Sequence, residues 1–222
     1  MAAFARLAID LMVHGAPAEL VDAAHVAARD EIRHAQHCYG IASVFGGKRL
    51  GPGALALSAS ASPSTLEQLA VECFRDGCVN ETVAALCVAE GSRCAASPAI
   101  RDTLAAIADD EARHAELSYR ILAWALNEGD ASLRGRIAIE LDLVRDELVL
   151  APTAGVAHPD HDASTGLLDP RTAAAVRRRV LAEVVIPCTE ALLAGAQGHM
   201  HSEIGVAWSG TAAHAIPVGH VP

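Results

Sequence analysis

Apolar residues recur along this chain at helical rather than strand spacing. Residues 1–14 carry them at Phe4, Leu7, Ala8, Leu11 and Met12, a stripe with no capping residue in front of it. Gly15-Ala16-Pro17 interrupts the run. A second helix is predicted over residues 17–45, with Leu20, Ala24, Ala27, Glu31, His34, Cys38 and Ile41 on one face. Residues 46–64 hold Gly51-Pro52-Gly53 and alternate Ser with Ala from Ser58 to Ser62 before Pro63, so they read as a connection inside one domain. A third helix is expected over residues 65–96, capped by Ser64 with Glu67 three residues on. Its inner stripe is Phe74, Gly77, Cys78, Glu81, Ala84, Ala85 and Val88. After Ser97-Pro98 a fourth helix runs to about Glu128 and is ended by Gly129, with Leu104, Ile107, Ala108, Glu111, His114, Ser118, Ile121 and Leu122 facing inward.

Beyond Gly129 the pattern weakens. Residues 132–148 form a short amphipathic helix (Leu133, Ile137, Leu141, Val144, Leu148), followed by a loop whose His158, Asp160, His161 and Asp162 read as solvated residues. Asp169-Pro170 opens a last helix to about Ala194, which Pro187 should kink or break. The domain plan is thus a helical bundle over 1–128, a helical extension over 129–195 packing on it, and a mobile tail over 196–222 with His199, His201, His214 and His220.

The helix lengths imply a topology. The second helix, about 43 Å long at ~1.5 Å per residue, is followed by a connection able to span about 60 Å extended. The chain can therefore return along the whole bundle and run helices 2 and 3 parallel: an all-α, ferritin-like four-helix bundle made of two hairpins and one long crossover, with C-terminal helices added.

Two stretches stand out against this scaffold. Asp30-Glu31-Ile32-Arg33-His34-Ala35 and Asp110-Glu111-Ala112-Arg113-His114-Ala115 share the pattern D-E-x-R-H-A, 80 residues apart. Glu and His three residues apart lie about 300° round a helix axis, on one face, so each copy can aim a carboxylate and an imidazole at one metal centre. In an antiparallel hairpin turning at residues 96–97, the residue level with Glu111 and His114 lies at 80–82. Glu81 is there, inside an apolar stripe where a carboxylate needs a partner. Glu72 and Glu90, nine residues to either side, should face solvent. Sliding the chain by 80 residues puts Met1 on Glu81, so the first hairpin lacks its matching carboxylate. Either the polypeptide starts downstream of its natural start or the site is asymmetric, with three carboxylates and two histidines; the uncapped opening of helix 1 favours the first.

Composition narrows the partners. The chain is 52% hydrophobic but only 3% aromatic, which suits Ala-rich helices over sheets. A net charge of -10 argues against nucleic acid. No apolar run suggests a membrane span and the opening residues are no signal peptide, so a cytoplasmic location is expected. The six cysteines include no C-x-x-C pair and read as reduced, buried small hydrophobes; Cys73 and Cys78, five apart, should not share an α-helical face.

With these residues in place, the chain resembles the ferritin-like superfamily of carboxylate-bridged di-iron proteins, whose pattern is Glu, E-x-x-H, Glu, E-x-x-H on four successive helices. Glu31, His34, Glu81, Glu111 and His114 fill five of the six positions over residues 1–128. More narrowly it is similar to bacterial ferritin-like domain proteins of unassigned activity with a Glu-His-Ala-Ser-Val-Ala-Ala-Phe type opening, of which Met1-Ala2-Ala3-Phe4 matches the end. The resemblance implies two iron ions, with manganese the alternative, bridged by Glu31 and Glu111, each receiving one of His34 and His114, with Glu81 terminal. Asp30 and Asp110 become candidates to accept the second imidazole N–H, with Arg33 and Arg113 balancing charge. The function implied is an oxidoreductase activating dioxygen or peroxide for an undetermined small molecule, with a homodimer as the candidate assembly. Iron sequestration and a degenerate scaffold without metal are the alternatives. Without paired C-x-x-C motifs, a rubrerythrin-type internal electron path is not expected.

Overall fold

A computed structural model describes residues 2–55, 64–150 and 163–195. The described residues contain six helices and no strand. Helix α1 spans Ala2–Val13 and α2 spans Ala18–Gly46, with Pro17 in the cap position rather than inside the helix. Helix α3 is continuous but changes pitch: α-helical Leu66–Glu72, π-helical Cys73–Glu81, then α-helical Thr82–Cys94. Helix α4 covers Pro98–Glu128 and α5 covers Ala131–Leu150. Helix α6 is likewise interrupted, as Pro170–Val180, a π stretch Leu181–Val185 and Ile186–Leu193. Pro187 therefore does not break it: the wider turns immediately before the ring absorb the lost N–H.

The predicted cap of α3 is off by one residue. Thr65 caps the helix, its side chain accepting from the Gln68 N–H at 3.1 Å while Gln68 reaches back to the Thr65 N–H at 2.8 Å. Ser64 instead donates to Asp10 through its N–H (3.2 Å) and its hydroxyl (3.0 Å), and the His14 ring meets the Ser64 carbonyl at 2.7 Å. These bonds hold the start of α3 beside the end of α1, at the same end of the molecule as the start of α2.

Two cores flank the α3–α4 hairpin. One joins Phe4, Ala8 and Leu11 of α1, Leu20, Ala24 and Ala27 of α2, Leu69 and Cys73 of α3, and Leu117 and Ile121 of α4. The other buries Phe74, Cys78 and Val79 of α3 and Tyr119, Leu122 and Leu126 of α4 against Leu133, Ile137 and Leu141 of α5 and Val176, Val180, Leu181 and Val185 of α6. Arg75 adds an ion pair from α3 to the buried Glu140 of α5 at 2.6 Å.

The inner face of α2 is shorter than its periodicity suggests. Cys38 is exposed and Ile41 only half-buried, with Val44 and Phe45 also exposed. Helix α1, at about 18 Å, is less than half the length of α2, so the second part of α2 has no α1 residue beside it. No helix among the described residues is long and apolar enough to cross a membrane. Met1, Ser58 to Ser62 and Pro63, the loop carrying His158, Asp160, His161 and Asp162, and the tail with His199, His201, His214 and His220 lie outside the described residues.

Candidate metal centre

Where the first core ends, the ring of Phe4 packs edge-on against His114, with centroids 4.9 Å apart. Beyond it the two D-E-x-R-H-A stretches face each other, from α2 and from α4. Glu31, Glu111 and His114 each offer one ligand atom, all within 4.8 Å of one another. His114 Nδ1 is 3.2 Å from Glu111 and 3.7 Å from Glu31. His34 Nδ1 is 3.2 Å from Glu111 and 3.4 Å from Glu31, within reach of both carboxylates yet hydrogen-bonded to neither, and it is buried. Glu81, the last residue of the π stretch, brings a third carboxyl beside Glu111. Of the five residues singled out from the sequence, Glu31, Glu111 and His114 converge within 4.8 Å, while His34 and Glu81 flank them.

The far nitrogens are held across the hairpins. His34 Nε2 meets Asp110 at 2.9 Å and His114 Nε2 meets Asp30 at 3.3 Å, so each imidazole is oriented by the aspartate of the other repeat. An ionised carboxylate only accepts, so Nε2 carries the proton; in the neutral ring this leaves the lone pair on Nδ1, facing the glutamates. Arg33 donates to Asp30 at 2.6 Å and lies 3.5 Å from Asp110; Arg113 pairs with Asp110 and lies 3.8 Å from Asp30. The arginines extend the same crossing pattern to the surface and balance charge that burial would otherwise penalise.

The titration behaviour reflects crowding of negative charge. Burial, with Glu111 hydrogen-bonded and Glu31 nearby, pushes the Glu81 carboxyl up to about 9. Burial opposes ionisation of Glu111 too, but hydrogen bonds from His114 and Glu81 outweigh it and hold that carboxyl low. His114 is raised: burial disfavours its cation, and Glu111 and Asp30 more than compensate. Asp110 is lowered, burial being outweighed by His34 and Arg113. Protons on Glu81 and His114 occupy the place where a cation would neutralise the group.

Other sequence expectations fare differently. Glu72 is exposed, but Glu90 is half-buried and paired with Arg93. Cys38 and Cys94 are exposed, whereas Cys73 and Cys78 are buried. The latter two lie in different cores, Cys73 with α1 and α2 and Cys78 with α5 and α6, and the Cys73 thiol donates to the Ser118 carbonyl at 3.2 Å. Gly77 and Ser118, placed on inner faces from the sequence but given no role there, set how near α3 lies to α4: a Cβ on Gly77 would overlap the Ser118 side chain. A glycine inside an otherwise apolar helical stripe was the available signal. No protein-family model, curated protein or solved structure matches the chain.

Proposed function

We propose that helices α1–α4 form a ferritin-like four-helix bundle with one long crossover between α2 and α3, and that the chain is a di-iron oxidoreductase, iron being replaceable by manganese, that activates dioxygen or peroxide. The observation that carries this reading is the buried Nδ1 of His34, unpartnered within 3.4 Å of two glutamates while its other nitrogen is fixed on Asp110. A buried polar atom without a partner is costly, and a cation between the imidazoles and carboxylates relieves it. The donor set, carboxylate oxygen with one imidazole from each repeat, suits iron and manganese over softer ions. The topology is supported by the bonds from Ser64 to Asp10, which put the starts of α2 and α3 at one end.

In this reading His34 and His114 would each supply one nitrogen and Glu31, Glu81 and Glu111 would supply carboxylate oxygens. The metal pair, when bound, supplies the electrons that reduce dioxygen or peroxide. The chain's own contribution is to fix the imidazoles through Asp30 and Asp110 and to exclude water with Phe4. Glu81, raised to about 9 by burial beside Glu111, holds a proton in the metal-free chain.

Ferrous-loaded protein should consume peroxide or dioxygen faster than the same concentration of free ferrous ion, and Glu111→Gln should abolish the difference. No acceleration in protein that holds iron would overturn the enzyme reading. A large shell carrying many irons per chain would favour sequestration. Absence of metal, with Glu111→Gln leaving thermal stability unchanged or improved, would leave a scaffold.

A further inference from the structure

One backbone carbonyl in the π stretch of α3 has lost its α-helical donor. At α pitch the Cys78 carbonyl would accept from the N–H of Thr82, four residues on; here the Thr82 N–H goes to the Val79 carbonyl instead. Two hydroxyls take its place. Thr82 donates its side chain back to the Cys78 carbonyl at 2.7 Å, and Tyr119 donates to the same oxygen from α4 at 3.2 Å. Both side chains are buried, Thr82 at 3% exposure and Tyr119 at 4%, so these bonds satisfy the carbonyl out of reach of bulk water.

Cys78 lies three residues before Glu81, and the pairing of α3 with α4 sets what Glu81 faces. The Cys73 thiol meets the Ser118 carbonyl and the Ser92 hydroxyl meets the Arg101 carbonyl, so the two helices run antiparallel. Gly77 lies against Ser118 with no room for a Cβ between them. Four residues on from Gly77 is Glu81 and four back from Ser118 is His114, which brings these two level. An α turn holds ~3.6 residues, and a π turn, closed by i→i+5 bonds, holds more. Return to α pitch beyond Gly77 would therefore rotate Glu81 about the helix axis while the Gly77 contact stayed in place. Hydroxyl donors on the Cys78 carbonyl oppose that return, because the oxygen is satisfied without the Thr82 N–H.

We propose that Tyr119 is a positioning residue for the metal centre: together with Thr82, its hydroxyl holds the Cys78 carbonyl in the open turn of α3 and so keeps the Glu81 carboxyl beside the group formed by Glu31, Glu111 and His114. The inference rests on the proposed metal centre and adds the device that sets the place of its third carboxylate. The Tyr119 ring itself belongs to the core that holds Phe74, Leu122 and Ile137. Ring and hydroxyl therefore have separate duties, the ring in packing and the hydroxyl in the turn, and Tyr119→Phe removes only the second.

The test measures Mn(II) affinity of the full chain by chelator competition, with circular dichroism and urea unfolding alongside. Tyr119→Phe and Thr82→Val should each weaken binding by about 10-fold, while Thr82→Ser, which keeps the hydroxyl, binds like the unaltered chain. Combined with Glu81→Gln, the first two substitutions should change affinity little further, since the carboxylate they position is gone. Lower stability with unchanged affinity would make the hydroxyls structural only and overturn the positioning role. An equal further loss of affinity in the Glu81→Gln background would place their effect elsewhere and overturn it too, with the metal centre intact. If Tyr119→Phe does not fold, the contrast between Thr82→Val and Thr82→Ser decides by itself. An unaltered chain that binds no Mn(II), or binds it equally well after Glu111→Gln, overturns the metal centre and this inference together.

Discussion

His34 Nε2 lies 2.9 Å from Asp110, an aspartate 76 residues away in the other repeat, and His114 reciprocates with Asp30 at 3.3 Å. Each repeat thus completes the imidazole of its twin, which gives the identical Asp positions a reason that spacing within one helix does not provide. Asp110→Asn keeps an acceptor but removes the charge that sets the His34 tautomer. It should weaken metal binding by about 10–100-fold with little change in helicity, read by competition against a metallochromic chelator. Unchanged affinity would contradict the orienting role.

The pH dependence of the metal-free protein follows from Glu81 and His114. Glu81 is raised from 4.5 to about 9, so its contribution to stability is present in full below the unfolded value and is lost as pH rises through about 9. His114, raised above 6.5, acts in the same direction. Glu111 and Asp110 are lowered, and their contributions disappear only as pH falls through their folded values. The unfolding midpoint without metal should therefore fall from mildly acidic pH toward pH 9, and Glu81→Gln should flatten the decline. With Mn(II) the trend reverses, because the cation displaces the protons from Glu81 and His114 and binds better as pH rises. Midpoints recorded across this range with and without Mn(II) check it; a flat metal-free profile would contradict it.

Gly77 sets the distance between α3 and α4. Gly77→Ala forces a Cβ into the Ser118 side chain and should cost about 1–3 kcal/mol by overpacking, measured by urea unfolding. Combining it with Ser118→Gly should recover part of the loss, since residues in contact do not add independently. A neutral Gly77→Ala would show that the helices can part without penalty.

The C-terminal helices share the core of α3 and α4. Ile137 is fully buried among Phe74, Leu122 and Val180 in that cluster. Ile137→Ala should cost about 2–5 kcal/mol in a single cooperative transition. A separate early transition, leaving α1–α4 folded, would contradict a shared core.

Much of the fold could be read in advance, because stripes such as Leu20, Ala24 and Ala27 on α2 or Ile107, Glu111 and His114 on α4 keep a helical period. Pro98 opens α4 in its first turn, where its fixed φ is suited, whereas Gly129 ends α4 in an extended conformation (φ -85°) and not in the left-handed one of a glycine cap. Equal distance from the hairpin turn was enough to pick Glu81 over Glu72 and Glu90. Three features were not legible. The π stretch Cys73–Glu81 contains Gly77, where α3 comes closest to Ser118 of α4, and helical periodicity in the sequence does not reveal the change of pitch. The crossing of Asp30 to His114 and Asp110 to His34 depends on which helices face each other, whereas sequence spacing shows only neighbours on one helix. Exposure of Cys38 reflects the short reach of α1, a property of the partner and not of α2 itself.

The central claim is that the two repeats together hold metal, and elemental analysis of the purified chain after anaerobic incubation with ferrous ion and removal of unbound ion tests it most directly. Iron in stoichiometric amount should survive desalting and be lost in Glu111→Gln and His114→Ala, both still helical. A folded chain that retains no iron or manganese, or retains the same amount when Glu111 and His114 are replaced, would contradict it.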